Sequence, residues 1–281
     1  MDIDSVKGLR IARFGQGEKK IVAVHGITAS LMAWGAVAGN LPAGWSLIAM
    51  DLRGRGHSRD LPGPYGLERH AEDVLEIVEH VGGAEVLTGH SMGGYVAVLA
   101  AARRPFERVV LVDGGLPFPP LPPGTDVDAA MAATLGPAIQ RLEQTFDSPE
   151  SYVAFFQAHP AFAGAWNADA EEYVRYDLVG EPGALRSRAV PEAVRQDGRA
   201  LRLDGDRHGA ALASITSPLT LLRAPRGLLD QPVGMLPDEL AAFWTAKVPG
   251  LRDEVVADCN HYTILLDPRC AALVAERLTG S

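Results

Sequence analysis

Two short stretches hold residue types suited to acyl-transfer chemistry: "GHSMGGY" at 89–95 and "CNHY" at 259–262. A serine hydroxyl is a weak nucleophile until a base takes its proton, and histidine is the side chain best suited to that task near neutral pH. Ser91 stands in Gly89-His90-Ser91-Met92-Gly93, a GxSxG spacing. The apolar run "AEVLTG" (84–89) precedes it and "YVAVLAAARR" (95–104) follows, which reads as a strand turning sharply into a helix. Glycine at both ends of such a turn removes side chains that would clash. The hydroxyl then projects past the strand end, over a helix N-terminus that favours developing negative charge. The competing reading is an N-cap serine in a tight turn.

His261 lies in "DCNHYTILLD", after a strand-like "RDEVVAD" (252–258) and before a last helix, so it can reach over the same edge as Ser91. The other histidines have weaker cases. His25 ends a strand and reads as support for the adjoining loop, His57 sits in "RGRGHS", and His90 takes the variable position of the turn. His70, His80, His159 and His208 read as helix-surface or insertion residues.

To position such residues, the chain offers alternating elements. "KIVAVHG" (20–26), "WSLIAMD" (45–51), "AEVLTG" and "RVVLVD" (108–113) are short apolar runs of the kind a buried strand requires. Helical patterns separate them at 30–41, 66–82 and 95–104; in 66–82 Val74, Ile77, Val78 and Val81 share one face. The alternation resumes with "SPLTLLRA" (217–224), a helix over 237–248, the strand at 252–258 and a helix through 269–278. Continuous apolar strands alternating with helices predict an α/β fold, a mostly parallel central sheet with helices on both faces. Between Asp113 and Ser217 the pattern breaks into the proline-rich "GGLPFPPLPPGTD" (114–126), then helical segments near 129–146, 149–158, 168–179 and 190–203. Residues 114–216 are too long for an ordinary connection and read as a helical insertion. The core is then 1–113 plus 217–281.

Taken together, these stretches resemble the α/β-hydrolase superfamily with a helical cap. "VAVHGITAS" (22–30) is similar to its oxyanion loop, "DLRGRGHS" (51–58) to the loop after the next strand, "GHSMGG" to its nucleophile elbow and "CNHYTIL" (259–265) to its histidine loop. The resemblance spans nearly the whole chain, and the insertion falls where the family places its cap. It implies Ser91 as nucleophile, His261 as base, and the backbone amides of Ile27 and Met92 as an oxyanion hole, with both side chains free to touch substrate. The acid departs from the common pattern. Most members carry it three residues past a glycine after a late strand, but in "LLRAPRGLLDQP" three past Ala224 is Gly227. Asp230 is three residues further on. The alternative place is the end of the strand after the nucleophile, where Asp113 stands. Asp113 is the first candidate and Asp230 the second.

Bulk properties bound the function. The 281 residues are 47% hydrophobic and 22% charged, enough for one sizeable core or a core with an insertion. A net charge of −9 opposes a nucleic-acid or anionic-membrane partner. No apolar run approaches a membrane span, and "MDIDSVKGLRIARFG" has no secretory apolar region, so a cytoplasmic protein is expected. Cys259 and Cys270 lack metal-ligand spacing and read as small buried hydrophobes. Neither a metal nor a cofactor is expected. A serine at the elbow excludes the haloalkane dehalogenases and epoxide hydrolases of this fold, which use an aspartate there. The expected activity is hydrolysis of a medium-sized apolar or aromatic ester or lactone. The alternatives are carbon–carbon hydrolysis of a vinylogous diketone, or a non-catalytic ligand-binding relative. Phe118, Tyr152, Phe155, Phe156, Phe162 and Trp166 are available to line the cleft, with Trp166 the named candidate.

Overall fold

The structure, a computed structural model, describes residues 1–280. Its strands in chain order are β1 (Asp2–Val6), β2 (Leu9–Phe14), β3 (Lys19–Val24), β4 (Trp45–Met50), β5 (Val86–His90), β6 (Arg108–Val112), β7 (Leu178–Val179), β8 (Arg186–Ser187), β9 (Leu219–Arg223) and β10 (Leu251–Val255). All but β7 and β8 join one sheet in the order β1-β2-β4-β3-β5-β6-β9-β10. The pairs β1–β2 and β2–β4 are antiparallel and the remaining pairs are parallel.

The helices flanking the sheet are α1 (Gly35–Gly39), α2 (Leu67–His80) and α3 (Met92–Ala101). Side-chain alternation explains why they lie on two faces. Val22 and Val24 of β3 join one apolar cluster with Val74 and Ile77 of α2 and Val96 of α3, while Ile21 and Ala23 join a second with Val37 of α1. Both faces of the central strands are therefore buried, which makes their sequences continuously apolar rather than alternating.

Between β6 and β9 the chain forms α4 (Val127–Leu142), α5 (Pro149–Gln157), α6 (Ala168–Tyr176), the short β7–β8 pair, α7 (Pro191–Leu203) and α8 (Gly205–Ser214). Helix α8 and the β7–β8 pair were not anticipated from sequence. After β9 come α9 (Asp238–Lys247), then past β10 the short α10 (Thr263–Leu266) and α11 (Pro268–Thr279). The expected helix over 30–41 is a 3-10 turn, Leu31–Trp34, followed by α1. Among the described residues no helix is long and apolar enough to cross a membrane.

Candidate active site

The end of β5 delivers Ser91 in a backbone conformation that few residues adopt, φ 53° and ψ −123°. Neighbouring glycines permit it by close approach. A Cβ on Gly89 would lie 2.0 Å from the Gly93 carbonyl oxygen, and one on Gly93 would lie 2.2 Å from that of Val24. The Ser91 amide donates to the Val112 carbonyl at 2.9 Å, tying the turn to β6. Met92 is the first residue of α3, so its amide has no partner within the helix. Neither that amide nor the Ile27 amide, in the loop after β3, donates to another group among the described residues.

His25 anchors that loop. Its Nε2 accepts the Leu52 amide at 3.0 Å, so the proton sits on Nδ1, which donates to the Gly26 carbonyl at 2.7 Å. That carbonyl belongs to the same peptide unit as the Ile27 N–H, so the bond fixes where the amide points. Burial pushes the His25 pKa down to about 3, which keeps the ring neutral.

His261 Nδ1 lies 2.6 Å from Oδ2 of Asp113, and both side chains are buried. The other Asp113 oxygen accepts the Ala224 amide at 3.1 Å. Asp113 is itself at φ 45°, immediately past β6, as its place in the sequence suggested. Asn260 holds the loop that carries His261. Its Oδ1 accepts the amides of Tyr262 and Thr263 at 3.0 Å, and its Nδ2 donates to the Ala161 carbonyl at 2.8 Å.

Asp230, the alternative acid, is engaged elsewhere. It accepts from Arg226 Nε at 2.6 Å and Asn260 Nδ2 at 2.9 Å and makes no bond to His261. Burial is the largest single influence and raises its pKa, but the bonds from Asn260 and Arg226 together outweigh it and hold the carboxyl below the usual value. The loop does curl toward His261, but it delivers Asp230 to the neighbouring asparagine.

Two cavities, of about 40 and about 220 Å³, meet at Ser91, His261, Ile27 and Leu135, which line both. The larger also takes in Met92, Asp113 and Met131, so α4 faces the sheet edge across it. Of the six aromatic candidates only Phe118 lines these cavities. Trp166 instead packs edge-on against Phe162 at 5.6 Å, within a chain of rings that includes Phe156 and Tyr152. That cluster ties α5 to the segment leading into α6, a sufficient physical reason for its aromatic content. His90 was underrated from sequence. Its ring lies 4.6 Å from that of His261, and its Nε2 donates to the His261 carbonyl at 2.9 Å. A polar residue at the variable position of the elbow was the available signal. Burial holds the His90 pKa well below normal, helped by the neighbouring His261.

A family model described as the alpha/beta hydrolase family matches residues 21–276. The chain belongs to that family. Among alpha/beta hydrolases it is similar to N-formylmaleamate deformylase from Pseudomonas putida, 36% identical over 39% of this chain and 43% of that protein. It is also similar to 2-(acetamidomethylene)succinate hydrolase from Mesorhizobium japonicum, 28% identical over 87% of this chain and 82% of that protein. The chain thus spans less than half the length of the first relative and most of the second. A crystal structure of E-2-(acetamidomethylene)succinate hydrolase superposes with a TM-score of 0.78 at 24% identity, covering 97% of this chain and 95% of the other.

Proposed function

We propose that this alpha/beta hydrolase is a serine hydrolase that cleaves compact carboxylic esters through an acyl-enzyme. The observation that carries the reading is the 2.6 Å Asp113–His261 contact, set where Ser91 and His261 line shared cavities. With Nδ1–H held by Asp113, His261 presents the lone pair of Nε2. Ser91 Oγ attacks the ester carbonyl and its proton passes to Nε2. The amides of Ile27 and Met92 receive the charge on oxygen. The carbonyl re-forms as the C–O bond to the alcohol breaks, and the alcohol leaves with the proton from His261. Water then gives a proton to His261, its oxygen attacks the acyl carbon, and the carboxylic acid departs as Ser91 regains its proton.

Residues 114–216 act in this reading as a lid whose α4 side chains set acyl preference. The relatives' names, a deformylase and the hydrolase of an acetamidomethylene compound, favour extending the search to small amide-type substrates. They are the reason to include those beside lactones and vinylogous diketones.

A substrate panel of esters, lactones, amides and vinylogous diketones tests the proposal. Esters are expected to turn over. Ser91→Ala should abolish turnover, and His261→Ala should lower kcat by several orders of magnitude. Leu135→Ala should reorder the esters where Trp166→Ala does not. Ester turnover that survives Ser91→Ala would overturn the reading.

A further inference from the structure

Beyond the cavity at Ser91 lies a larger cleft, about 1200 Å³, between the proline-rich segment, α8 and α9. Phe118, Arg202 and Met235 line both spaces and so form the throat between them. Arg202, in the last turn of α7, is unusual there. Among the described residues it has no ion pair and no hydrogen bond; its guanidinium carbon lies over the Phe118 ring at 5.1 Å, and its charge also reaches the Tyr95 hydroxyl. The other ionisable groups of the inner cavity are committed: Asp113 to His261 and the Ala224 amide, and the Tyr95 hydroxyl to the Leu116 carbonyl. Asp206 and Glu239 line the outer cleft, and neither forms an ion pair with Arg202.

A half-buried guanidinium has lost part of its water and here gains no protein anion in return. Its place over the Phe118 ring leaves its donors free for a planar, doubly accepting group. In a chain of net charge −9 a cation without an ion pair, lining the same cavity as the candidate nucleophile, is a local attractor for anions.

We infer that Arg202 is a specificity-determining residue that binds a carboxylate of the substrate at the throat while the scissile acyl group occupies the cavity at Ser91. The substrates are thus esters or amides of acids bearing a second, free carboxylate. This rests on the serine-hydrolase reading above and narrows its substrate class.

The test pairs p-nitrophenyl monoesters of adipic and suberic acid with the matching esters whose far carboxyl is a neutral amide. In the wild-type protein one acid chain length should exceed its amide twin in kcat/KM by about 10- to 100-fold, the range of one charge-assisted hydrogen-bonding contact. The difference should lie mainly in KM. Arg202→Met should bring the ratio to about one, Arg202→Lys should restore part of it, and Lys247→Met, in the outer cleft, should preserve it. A wild-type ratio near one, a ratio that survives Arg202→Met, or an equal loss in Lys247→Met would overturn the assignment. Calorimetric titration with adipate decides the question without turnover. Wild type and Ser91→Ala should bind it and Arg202→Met should not, whereas equal binding by all three, or by none, overturns the inference. Failure of every ester with adipate binding intact would remove the hydrolase reading and leave the Arg202 site standing.

Discussion

Asp113 and Asp230 both sit at positive φ, at 45° and 61°, and both approach the loop that carries His261. Their partners separate them. Asp113 is buried and holds Nδ1 of His261, while Asp230 is 38% exposed in its side chain and bonds to Arg226 and Asn260. An acid that fixes the imidazole tautomer is worth up to about 10⁴ in kcat when replaced by asparagine. Asp113→Asn is therefore expected to lose kcat on that scale with KM little changed. Asp230→Asn should keep most of its activity, because only its bonds to Arg226 and Asn260 are altered and neither touches His261. Steady-state kinetics of the two variants checks this, and the reverse order would transfer the acid role to Asp230.

At the scale of elements, the β5–α3 turn works because backbone passes against backbone. Gly93→Ala would put a Cβ 2.2 Å from the Val24 carbonyl oxygen, a rigid neighbour in the central strand. That substitution should destabilise the fold by about 3 kcal/mol or more. Gly39→Ala, in α1 with nothing within 4 Å of the added carbon, should be neutral or stabilise by up to about 1 kcal/mol. Urea denaturation of both variants measures the contrast.

The same turn explains what was legible in the sequence. Strands β3 to β6 and β9 are readable because burial on both faces leaves unbroken apolar runs, and α2 is readable because its apolar residues share one face. Strand β1 is not, since its first four residues are exposed and Ile3 is the one apolar residue among them. Helix α8 was hidden by Gly205, Asp206 and Gly209, poor helix formers that tertiary packing overrides; Gly209 lies against the Trp244 ring. Ser91 and His261 can be singled out as candidates because their motifs are local, and both line the same cavities. Arg202 could not, because its isolation from carboxylates is a property of the folded arrangement. Trp166 misled because an aromatic ring in a helical insertion serves core and cavity equally well, and only packing separates the two.

Across the whole molecule, buried histidines make stability depend on pH. His25 is about 3 in the folded protein against 6.5 for an unperturbed histidine. Between those values the unfolded chain binds a proton that the folded chain does not, so stability falls as pH falls from 6.5 toward 3. His90 acts in the same sense. Asp51 acts oppositely, because burial raises its carboxyl to about 6 and the folded state then holds the extra proton between about 4 and 6. His25→Asn, which keeps a donor near the Gly26 carbonyl, should flatten the decline between pH 6 and 4. The change in slope should be up to about 1.4 kcal/mol per pH unit. Unfolding free energies across that range give the slope directly, and an unchanged slope would mean that His25 titrates normally. Acyl transfer from Ser91, on which the proposed function rests, stands or falls on one labelling measurement. The intact protein is treated with a fluorophosphonate, weighed, digested and peptide-mapped, beside His261→Ala. A single adduct is expected, on Ser91, formed far more slowly in the variant; no adduct, an adduct on another serine, or equal rates in the two proteins would rule out Ser91 as the His261-activated nucleophile.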